Sequence, residues 1–520
     1  MTILFRILRD KLIGRKNNKP VVTAKNWKLS KSLEENIKMF QEIFNKDDVI
    51  EYREFEGKDS LIVKCCLIFV DGMVNKEIIN ENIIYPIVNF PFKDKGLKQN
   101  LIDTLKNKII VASSLDQQRD VYELISSCLY GDAILLVDGC EEALLIDTKG
   151  WNTRAINEPT SEAIVRGPKE GFNEAVIINL ALIRRKIRST DLKFKFKEIG
   201  IRTKTKVCVC YIEGVVNEKI VKELNKRLDR IEIDGILDSG YIEELVKDSP
   251  LSPFTTVGNT ERPDVVAANL LEGRVAVVVD GTPHVLTLPH LFIEYFQANE
   301  DYYNGFIYAS INRLIRVFAF FLSSSVPAIY VALTTFHQEM IPTPLLLSIS
   351  AAREGVPFPT IVEALFMLLA FEILRESGIR LPNPIGSTVS FVGALILGEA
   401  AVDARFVSAP IVIITALTGI SNFLIPKMIG ALIVVRLIFL LLSAFLGLYG
   451  YIFGVIGLFI HLMSMRSFGI PYMLNVGALN MQDIKDTGIR APWWLMYLRP
   501  KLIGGENRVR QKNPKLYEKR

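Results

Sequence analysis

The chain has 520 residues, of which 49% are hydrophobic and 23% charged, and its formal net charge is +5 at pH 7. This charge is small and dispersed and forms no basic stripe interleaved with aromatic residues, which argues against nucleic-acid binding. The mean hydropathy of +0.26 averages a charged front part and an apolar back part that meet near residue 305. That split is typical neither of an ordinary soluble enzyme nor of a protein made only of membrane spans.

The first 50 residues predict a flexible N-terminal arm. The segment 1–20 is basic but lacks the apolar core of a secretory signal, so we expect this end of the chain in the cytosol. Its one candidate anchor is the helical spacing of Leu33, Ile37, Phe40 and Ile43. The six cysteines have no metal-ligand spacing, which predicts reduced, buried thiols and neither a metal nor a cofactor.

An internal repeat follows the arm. The segment KCCLIFVDGMVNKEII at 64–79 matches KVCVCYIEGVVNEKIV at 206–221, and GDAILLVDG at 131–139 matches GRVAVVVDG at 273–281. Both pairs are 142 positions apart. Each copy has the pattern of a buried strand, an acidic-Gly turn, helices and a strand hairpin. The sequence therefore predicts an α/β (α+β) soluble region of two tandem similar modules, residues 51–160 and 191–290, joined by a linker helix within 161–190.

The soluble region carries no motif of a known catalytic site. A phosphate-binding glycine loop and a dinucleotide fingerprint are absent from the sequence, as are a hydrolase serine elbow and paired catalytic carboxylates in a recognisable setting. We therefore expect a protein that is not an enzyme.

Residues 291–312 are rich in aromatic side chains and predict an interfacial connector to an all-α, multi-span membrane domain at 313–465. The sequence contains apolar runs at 317–335, 386–402, 407–425, 428–446 and 447–465, and a shorter one at 361–374. Each long run approaches the length that crosses a bilayer as a helix. Pro327 should kink the first helix. The basic tail at 466–520 belongs in the cytosol by the positive-inside rule, so the number of crossings is even, and the pattern leaves four and six both open.

Six motifs carry a resemblance to a known family. The motifs are SE and RGPKEGF within 161–172, EGRVAVVVDGTPH at 272–284, EDYY at 300–303, FHQEMIPTP at 336–344, REGVPFP at 353–359 and LPNPIG at 381–386. In this order they resemble the A subunit of the GerA-type nutrient germinant receptors of spore-forming bacteria.

The resemblance implies a subunit of the spore inner membrane that works with a transporter-like B subunit and a lipoprotein C subunit. It further implies a homo-oligomer, a pentamer, that forms an ion channel opened by a nutrient. The alternative is a non-conducting signalling or scaffold subunit that couples a nutrient-binding partner to downstream germination proteins. A secondary transporter is disfavoured, because the internal repeat lies in the soluble part and not among the spans.

Charged residues at membrane depth are the first candidates for a functional site. Arg436 interrupts an apolar run and needs an anionic partner, for which the candidates are Glu363, Glu372, Glu399 and Asp403. The pair could fix the helix register or take part in gating, and the sequence leaves both open.

The run 386–402 is the candidate pore helix. Its small residues recur at helical spacing beside apolar ones, and the candidate pore-lining residues are Gly386, Val389, Ser390, Val392, Gly393 and Ile396. Tight helix packing is the alternative explanation for such a stripe. Glu399 and Asp403 share one helical face and would form two acidic rings in a symmetric oligomer, which predicts a preference for cations. Pairing of Asp403 with Arg405 is the alternative.

Overall fold

The computed structural model describes most of the chain. The described residues are 27–58, 63–91, 101–112, 114–150, 164–380, 396–474 and 486–496, with positions 159, 162, 393, 498–500, 502–505, 507 and 509–510. They divide into two compact units. The first unit comprises residues 1–153, 180–195 and 213–215, and the second comprises 154–179, 196–212 and 216–520.

A five-stranded antiparallel sheet forms the centre of the first unit. Its strands are β1 Ile50–Glu56, β2 Lys64–Val70, β3 Leu115–Gln118, β4 Ala133–Val137 and β5 Ala143–Ile146, and they lie in the order β1-β2-β4-β5-β3. Every residue of β4 is buried, as is all of β2 after Lys64. Continuous apolar runs therefore form the middle of the sheet, and the half-exposed β1 forms an edge.

A second sheet repeats the topology of the first. Its strands are β6 Leu192–Ile199, β7 Thr205–Ile212, β8 Gly258–Thr260, β9 Val275–Val279 and β10 Val285–Leu288, in the order β6-β7-β9-β10-β8. Cys65 opposes Val137 in the first sheet, and Val207 opposes Val279 in the second, each residue 142 positions after its counterpart. The predicted tandem α/β modules are thus confirmed down to the strand register.

The repeated VDG turn fixes the start of each module's first helix. Gly139 and Gly281 have φ of +84° and +90°, a conformation that favours glycine. The aspartate before each glycine accepts a hydrogen bond from a helix-start amide, Leu33 N to Asp138 and Val176 N to Asp280, both at 3.1 Å. The Asp-Gly pair at the end of the strand therefore anchors the start of a helix to the sheet by a hydrogen bond.

Helices cover the two sheets. Those of eight or more residues are α1 Leu33–Ile43, α2 Val121–Cys128, α3 Val176–Lys186, α4 Glu218–Leu228, α5 Ser239–Val246 and α6 Pro263–Glu272. Helix α1 lies within the region expected as a flexible arm, and it buries Leu33, Ile37 and Phe40 at the predicted spacing. In the first unit Arg184 is fully buried beside Asp47 and donates to the Leu192 carbonyl at 3.2 Å.

The back part of the second unit is helical. Its helices are α7 Phe306–Phe336, α8 Thr343–Arg353, α9 Thr360–Arg380, α10 at 396–403, α11 Ala409–Phe423 and α12 Ile429–Ser464. Among the described residues, two helical segments are long and apolar enough to cross a bilayer, Phe306–Phe336 and Pro426–Ser464. Helix α11 is apolar but shorter. Helix α7 continues through Pro327, and α8 occupies the connection between the expected spans.

Helix α12 folds back on itself at Gly447. Gly447 has φ of +59° and ψ of −141°, which lies outside the helical region. The Phe439 and Tyr451 rings, 12 positions apart, are 5.6 Å apart between centroids, whereas a straight helix would separate them by about 18 Å. A β-carbon on Gly454 would lie 2.9 Å from the Phe439 ring. The segment is therefore a tight hairpin of two apolar arms, which corresponds to the separate runs at 428–446 and 447–465.

Candidate functional site

The first arm of the α12 hairpin and helix α9 bury an ion pair. Arg436 is 2% exposed, and its Nη2 lies 2.7 Å from Glu372 Oε1. The second oxygen of Glu372 lies 2.9 Å from Arg375 Nη2. Of the four anionic candidates, the structure brings Glu372 to Arg436. Arg436 Nη1 has no hydrogen-bond partner in the described part of the chain, so this pair is only partly satisfied.

Glu363, another of the four candidates for the partner of Arg436, lies next to the start of α11. It is 1% exposed, and its Oε2 accepts hydrogen bonds from Ser408 N at 2.8 Å and Ser408 Oγ at 2.7 Å. Ser408 is the residue that precedes helix α11. Arg353 Nε lies 3.5 Å from Glu363 Oε1. Glu363 therefore joins α8, α9 and the start of α11, and it does not contact Arg436.

The candidate acidic residues lie on one exposed helix. Glu399 and Asp403 both lie in α10 and are both exposed. Arg405 has φ of +56°, and its guanidinium points toward Gly355. The described residues show no ion pair between Arg405 and Asp403. Both carboxylates are consequently accessible from outside the single chain.

Four of the six candidate pore-lining residues, Gly386, Val389, Ser390 and Val392, lie outside the described residues. Gly393 and Ile396 are described. A β-carbon on Gly393 would lie 3.1 Å from Leu374, so this glycine permits close packing against α9. Ile396 is 60% exposed and so is free to contact another molecule or lipid.

A polar seam runs between three of the apolar helices, α7, α11 and α12. Ser323 of α7 donates a hydrogen bond to the side-chain oxygen of Asn422 of α11. Two polar atoms of this seam are buried and have no hydrogen-bond partner in the part of the chain that the structure describes. They are Asn422 Nδ2, on α11, and Ser443 Oγ, on the first arm of α12. Unsatisfied polar groups are costly in an apolar interior, and water is the usual partner that satisfies them. Each of three apolar runs in the sequence contains one of these polar residues, and this pattern is the sequence signal that locates the seam.

A charged junction connects the second sheet's region to the start of α7. Arg316 donates to both carboxylate oxygens of Asp301 at 2.8 Å, and Arg313 Nε lies 3.3 Å from the same group. Arg313 Nη1 lies 2.9 Å from Asp486, which comes from the tail. Tyr302 donates to Asp486 at 2.5 Å. Arg313 and Arg316, near the start of α7, are thus held by Asp301, which precedes the helix, and by Asp486 of the tail.

A second buried cluster lies beside the charged junction. Arg274 Nη1 donates to Glu294 Oε1 at 2.6 Å and to the Pro289 carbonyl at 2.6 Å, and His290 Nδ1 lies 3.2 Å from Glu294 Oε2. Burial alone would raise the pKa of Glu294, but the charge of Arg274 and then that of His290 outweigh burial and hold the pKa at about 2. Glu294 therefore remains ionised at every physiological pH.

Both ends of the α12 hairpin contact the second module. Lys427 pairs with Glu162 and donates to the Asn259 carbonyl at 3.0 Å. His461 Nε2 lies 2.9 Å from Ser252 Oγ. At the opposite end, a β-carbon on Gly447 would lie 2.7 Å from the His337 ring, just after α7 ends. The hairpin and α7 thus lie side by side. The two ends of the hairpin contact the second module, and its turn at Gly447 contacts the end of α7.

Within the described ranges, no group of His, Cys, Asp or Glu is arranged to hold a metal ion. The pKa values of Cys65, Cys66 and Cys128 are raised to about 12 by burial, so these thiols are protonated.

Comparison with known proteins relates the whole chain to spore germination. Residues 38–502 match the family model of the Bacillus/Clostridium GerA spore germination protein. The chain is 44% identical to spore germination protein KA of Bacillus subtilis (strain 168) over 487 residues, 93% of this chain and 89% of that protein. It is 39% identical to the uncharacterized membrane protein YfkQ of the same organism over 494 residues, 94% of this chain and 95% of YfkQ.

A related chain is present among the solved structures. It is the crystal structure of the N-terminal domain of the A subunit of the Bacillus megaterium spore germinant receptor GerK3, with 34% sequence identity and a TM-score of 0.38. The match covers 51% of this chain and 98% of that chain.

Proposed function

This chain belongs to the GerA family of spore germination proteins, a family of germinant receptor A subunits, and from that premise we propose that it forms a nutrient-gated cation channel of the spore inner membrane. In this proposal identical copies, five in number, surround the route for ions. A transporter-like B subunit senses the nutrient, and a lipoprotein C subunit completes the receptor.

The observation that carries the proposal is the set of polar groups buried among the membrane helices. Arg436, Asn422 and Ser443 are each nearly or fully buried, and each keeps a polar atom without a partner among the described residues. Groups of this kind are rare in membrane proteins unless they face a water-filled path or a partner. They favour a hydrated route over a purely structural bundle.

The charged junction of Asp301, Arg313, Arg316 and Asp486 can couple nutrient sensing by the receptor to opening of the channel. A movement of the soluble region can reach α7 through Asp301, Arg313 and Arg316, because Asp301 is paired with both arginines and only Arg316 is partly exposed. The same movement reaches the hairpin through Glu162 and Lys427. We infer that these contacts carry the gating signal to two membrane helices at once.

The path of the chain supports an even number of crossings, with both termini in the cytosol. Helix α7 leaves the module, and its far end meets Gly447. Lys427 contacts the module again, so the intervening chain has returned. The hairpin then leaves and returns once more, which brings Arg466 back to the starting side.

Ion flux from reconstituted protein tests the proposal. The purified full-length chain is placed in liposomes loaded with potassium and a potassium-sensitive dye, with and without the B and C subunits. We expect efflux when nutrient is added to the complete receptor and none from empty liposomes. Nutrient binding by the complete receptor without any efflux would favour the alternative, a non-conducting signalling or scaffold subunit.

A further inference from the structure

The C-terminal tail places arginine side chains around exposed aromatic rings at the start of α7. The Arg490 guanidinium lies 5.6 Å from the centroid of the Trp493 ring, and the Arg510 guanidinium lies 5.3 Å from it. Arg499 lies nearby and donates to the Leu271 carbonyl at 2.7 Å. We refer to Arg490, Arg499 and Arg510 together with Trp493 as the tail arginine cluster.

Within the part of the chain that the structure describes, carboxylates only partly match the positive charge of this cluster. Arg510 lies 3.7 Å from Glu272, but Arg274 shares that carboxylate at the same distance of 3.7 Å. Neither Arg490 nor Arg499 makes an ion pair within the described residues. Arg490 is 3% exposed, and its Nε has no hydrogen-bond partner in the same part of the chain.

Arg499 and Arg510 lie close together, because Arg499 Nη1 donates a hydrogen bond to the carbonyl of Val509, the residue before Arg510, at 2.9 Å. Burial first, and then the charge of Arg510, lowers the pKa of Arg499. Two guanidinium groups that repel each other in this way are stabilised when an anion binds between them. Arginine is well suited to a phosphate, because its planar fork can donate two parallel hydrogen bonds.

Exposed aromatic residues place the cluster at a lipid surface. Trp493 is 41% exposed and Trp494 is 43% exposed. Trp494 packs edge to face against Phe306, the first residue of α7, with ring centroids 5.7 Å apart. Tryptophan rings concentrate at the headgroup level of membranes, where one end of the ring is apolar and the other is hydrated. The patch is thus continuous with a membrane helix and has only partly matched positive charge beside it.

We propose that the tail arginine cluster binds the phosphate of an anionic phospholipid headgroup, with Trp493 and Trp494 in the headgroup layer. This goes beyond the proposed function, because the lipid site exists whether or not the subunit conducts ions. Free phosphate offers the same chemistry to the arginines, so the experiment has to separate the two sources.

Quenching of tryptophan fluorescence by brominated lipids tests the site. The full-length chain with Trp27→Phe and Trp151→Phe keeps only Trp493 and Trp494. It is reconstituted in phosphatidylcholine nanodiscs that contain a small fraction of brominated phosphatidylglycerol or, separately, of brominated phosphatidylcholine. We expect stronger quenching by the anionic lipid. Replacing Arg499 and Arg510 by alanine should weaken apparent binding of that lipid by roughly fivefold per arginine.

Two control variants and a change of buffer anion distinguish the effects of net charge, of misfolding and of the source of the phosphate. Replacing the exposed Arg202 and Arg230 by alanine removes the same charge elsewhere and should leave the preference intact. Arg499→Lys with Arg510→Lys keeps the charge and should retain much of the preference even if the alanine variant folds poorly. Loss of the preference in phosphate, but not in chloride of equal ionic strength, would assign the site to free phosphate and overturn the lipid proposal. Equal quenching by the two lipids, or a preference that survives in a folded alanine variant, would also overturn it.

Discussion

At the residue scale, the buried charges of the second unit differ in how completely they are neutralised. Arg313 has carboxylates on two sides, whereas Arg436 relies on Glu372, which it shares with Arg375. Taking one charge out of a buried pair leaves the other desolvated and unpaired, which costs more than the pair itself contributes. The Arg436–Glu372 pair is therefore the residue-scale feature most sensitive to substitution.

We expect Arg436→Ala to destabilise the membrane domain by about 3 to 5 kcal/mol, because it leaves Glu372 buried beside Arg375 alone. The measurement is thermal unfolding of the purified protein in detergent, together with the germination response of spores that carry the variant. The exposed Arg380, four residues from its partner Glu376, provides the control: Arg380→Ala should change stability by less than about 1 kcal/mol.

A second substitution shows whether the pair is structural or functional. Arg436→Met combined with Glu372→Leu and Arg375→Met removes the pair together with the arginine that shares Glu372, and should restore much of the stability. If germination returns with stability, the pair serves to hold the helices together. If stability returns without germination, the charges take part in gating. A fully normal response of Arg436→Ala spores would contradict both roles.

Glu294 makes stability depend on pH in the acid range. Its pKa of about 2 in the folded protein lies below the ordinary 4.5, so it stabilises the fold fully above pH 4.5. That contribution, on the order of 3 kcal/mol, is lost as the pH falls from 4.5 toward 2. We expect Glu294→Gln to destabilise the protein at pH 7 and to flatten the pH dependence in this window, as measured by denaturant unfolding at several pH values.

The exposed Glu244 gives the matched comparison for Glu294. Glu244→Gln removes a carboxyl from the surface and should change stability by less than about 0.5 kcal/mol at pH 7. An identical acid dependence in Glu294→Gln and the native chain would show that the Arg274–Glu294 cluster does not control acid stability.

At the element scale, the hairpin of α12 depends on two glycines. Gly447 makes the turn in a region of φ and ψ that is essentially closed to other residues, and the His337 ring fills the space where a side chain would go. Gly450 faces the backbone of Leu442 on the other arm and allows the arms to touch. The sequence shows two adjoining apolar runs here, and these glycines decide that the runs pack as neighbours.

We expect Gly447→Ala to cost roughly 2 to 3 kcal/mol through backbone strain, in addition to the contact with His337. Thermal unfolding in detergent measures the loss. Gly457 lies in the second arm with open space around it, so Gly457→Ala is the control and should be neutral or slightly stabilising. Equal behaviour of the two variants would contradict the turn at Gly447.

At the scale of the whole molecule, the chain combines a duplicated α/β fold with a helical block that contains two apolar segments of bilayer length. Both sheets have the same strand order and register, yet only the second sheet has most of its strands in the unit that contains these segments. The contacts of Glu162, Asn259 and Ser252 with the hairpin arise from residues around the second sheet. Duplication therefore supplied two similar modules, of which one carries the connection to the membrane.

The exposed acidic pair of α10 predicts the selectivity of the proposed channel. We expect Glu399→Gln with Asp403→Asn to lower the potassium-to-chloride permeability ratio by roughly tenfold, because two rings of negative charge would be lost. Reversal potentials of the reconstituted receptor measure this ratio. Glu376→Gln removes an exposed carboxylate from α9 and serves as the control. An unchanged potassium-to-chloride permeability ratio in the double variant would show that other residues determine the ion selectivity.

The sequence by itself determined the tandem modules, the apolar runs and the family resemblance, because a repeated motif and a hydrophobic run are local properties of the chain. It also indicated that Arg436 needs an anionic partner. Only the tertiary structure decided that the partner is Glu372, that Glu363 instead accepts hydrogen bonds from Ser408 just before α11, and that the last two runs form a hairpin. Asp486 reaches Arg313 across 173 positions of chain. Contacts of that kind depend on how helices pack, and no local pattern encodes them.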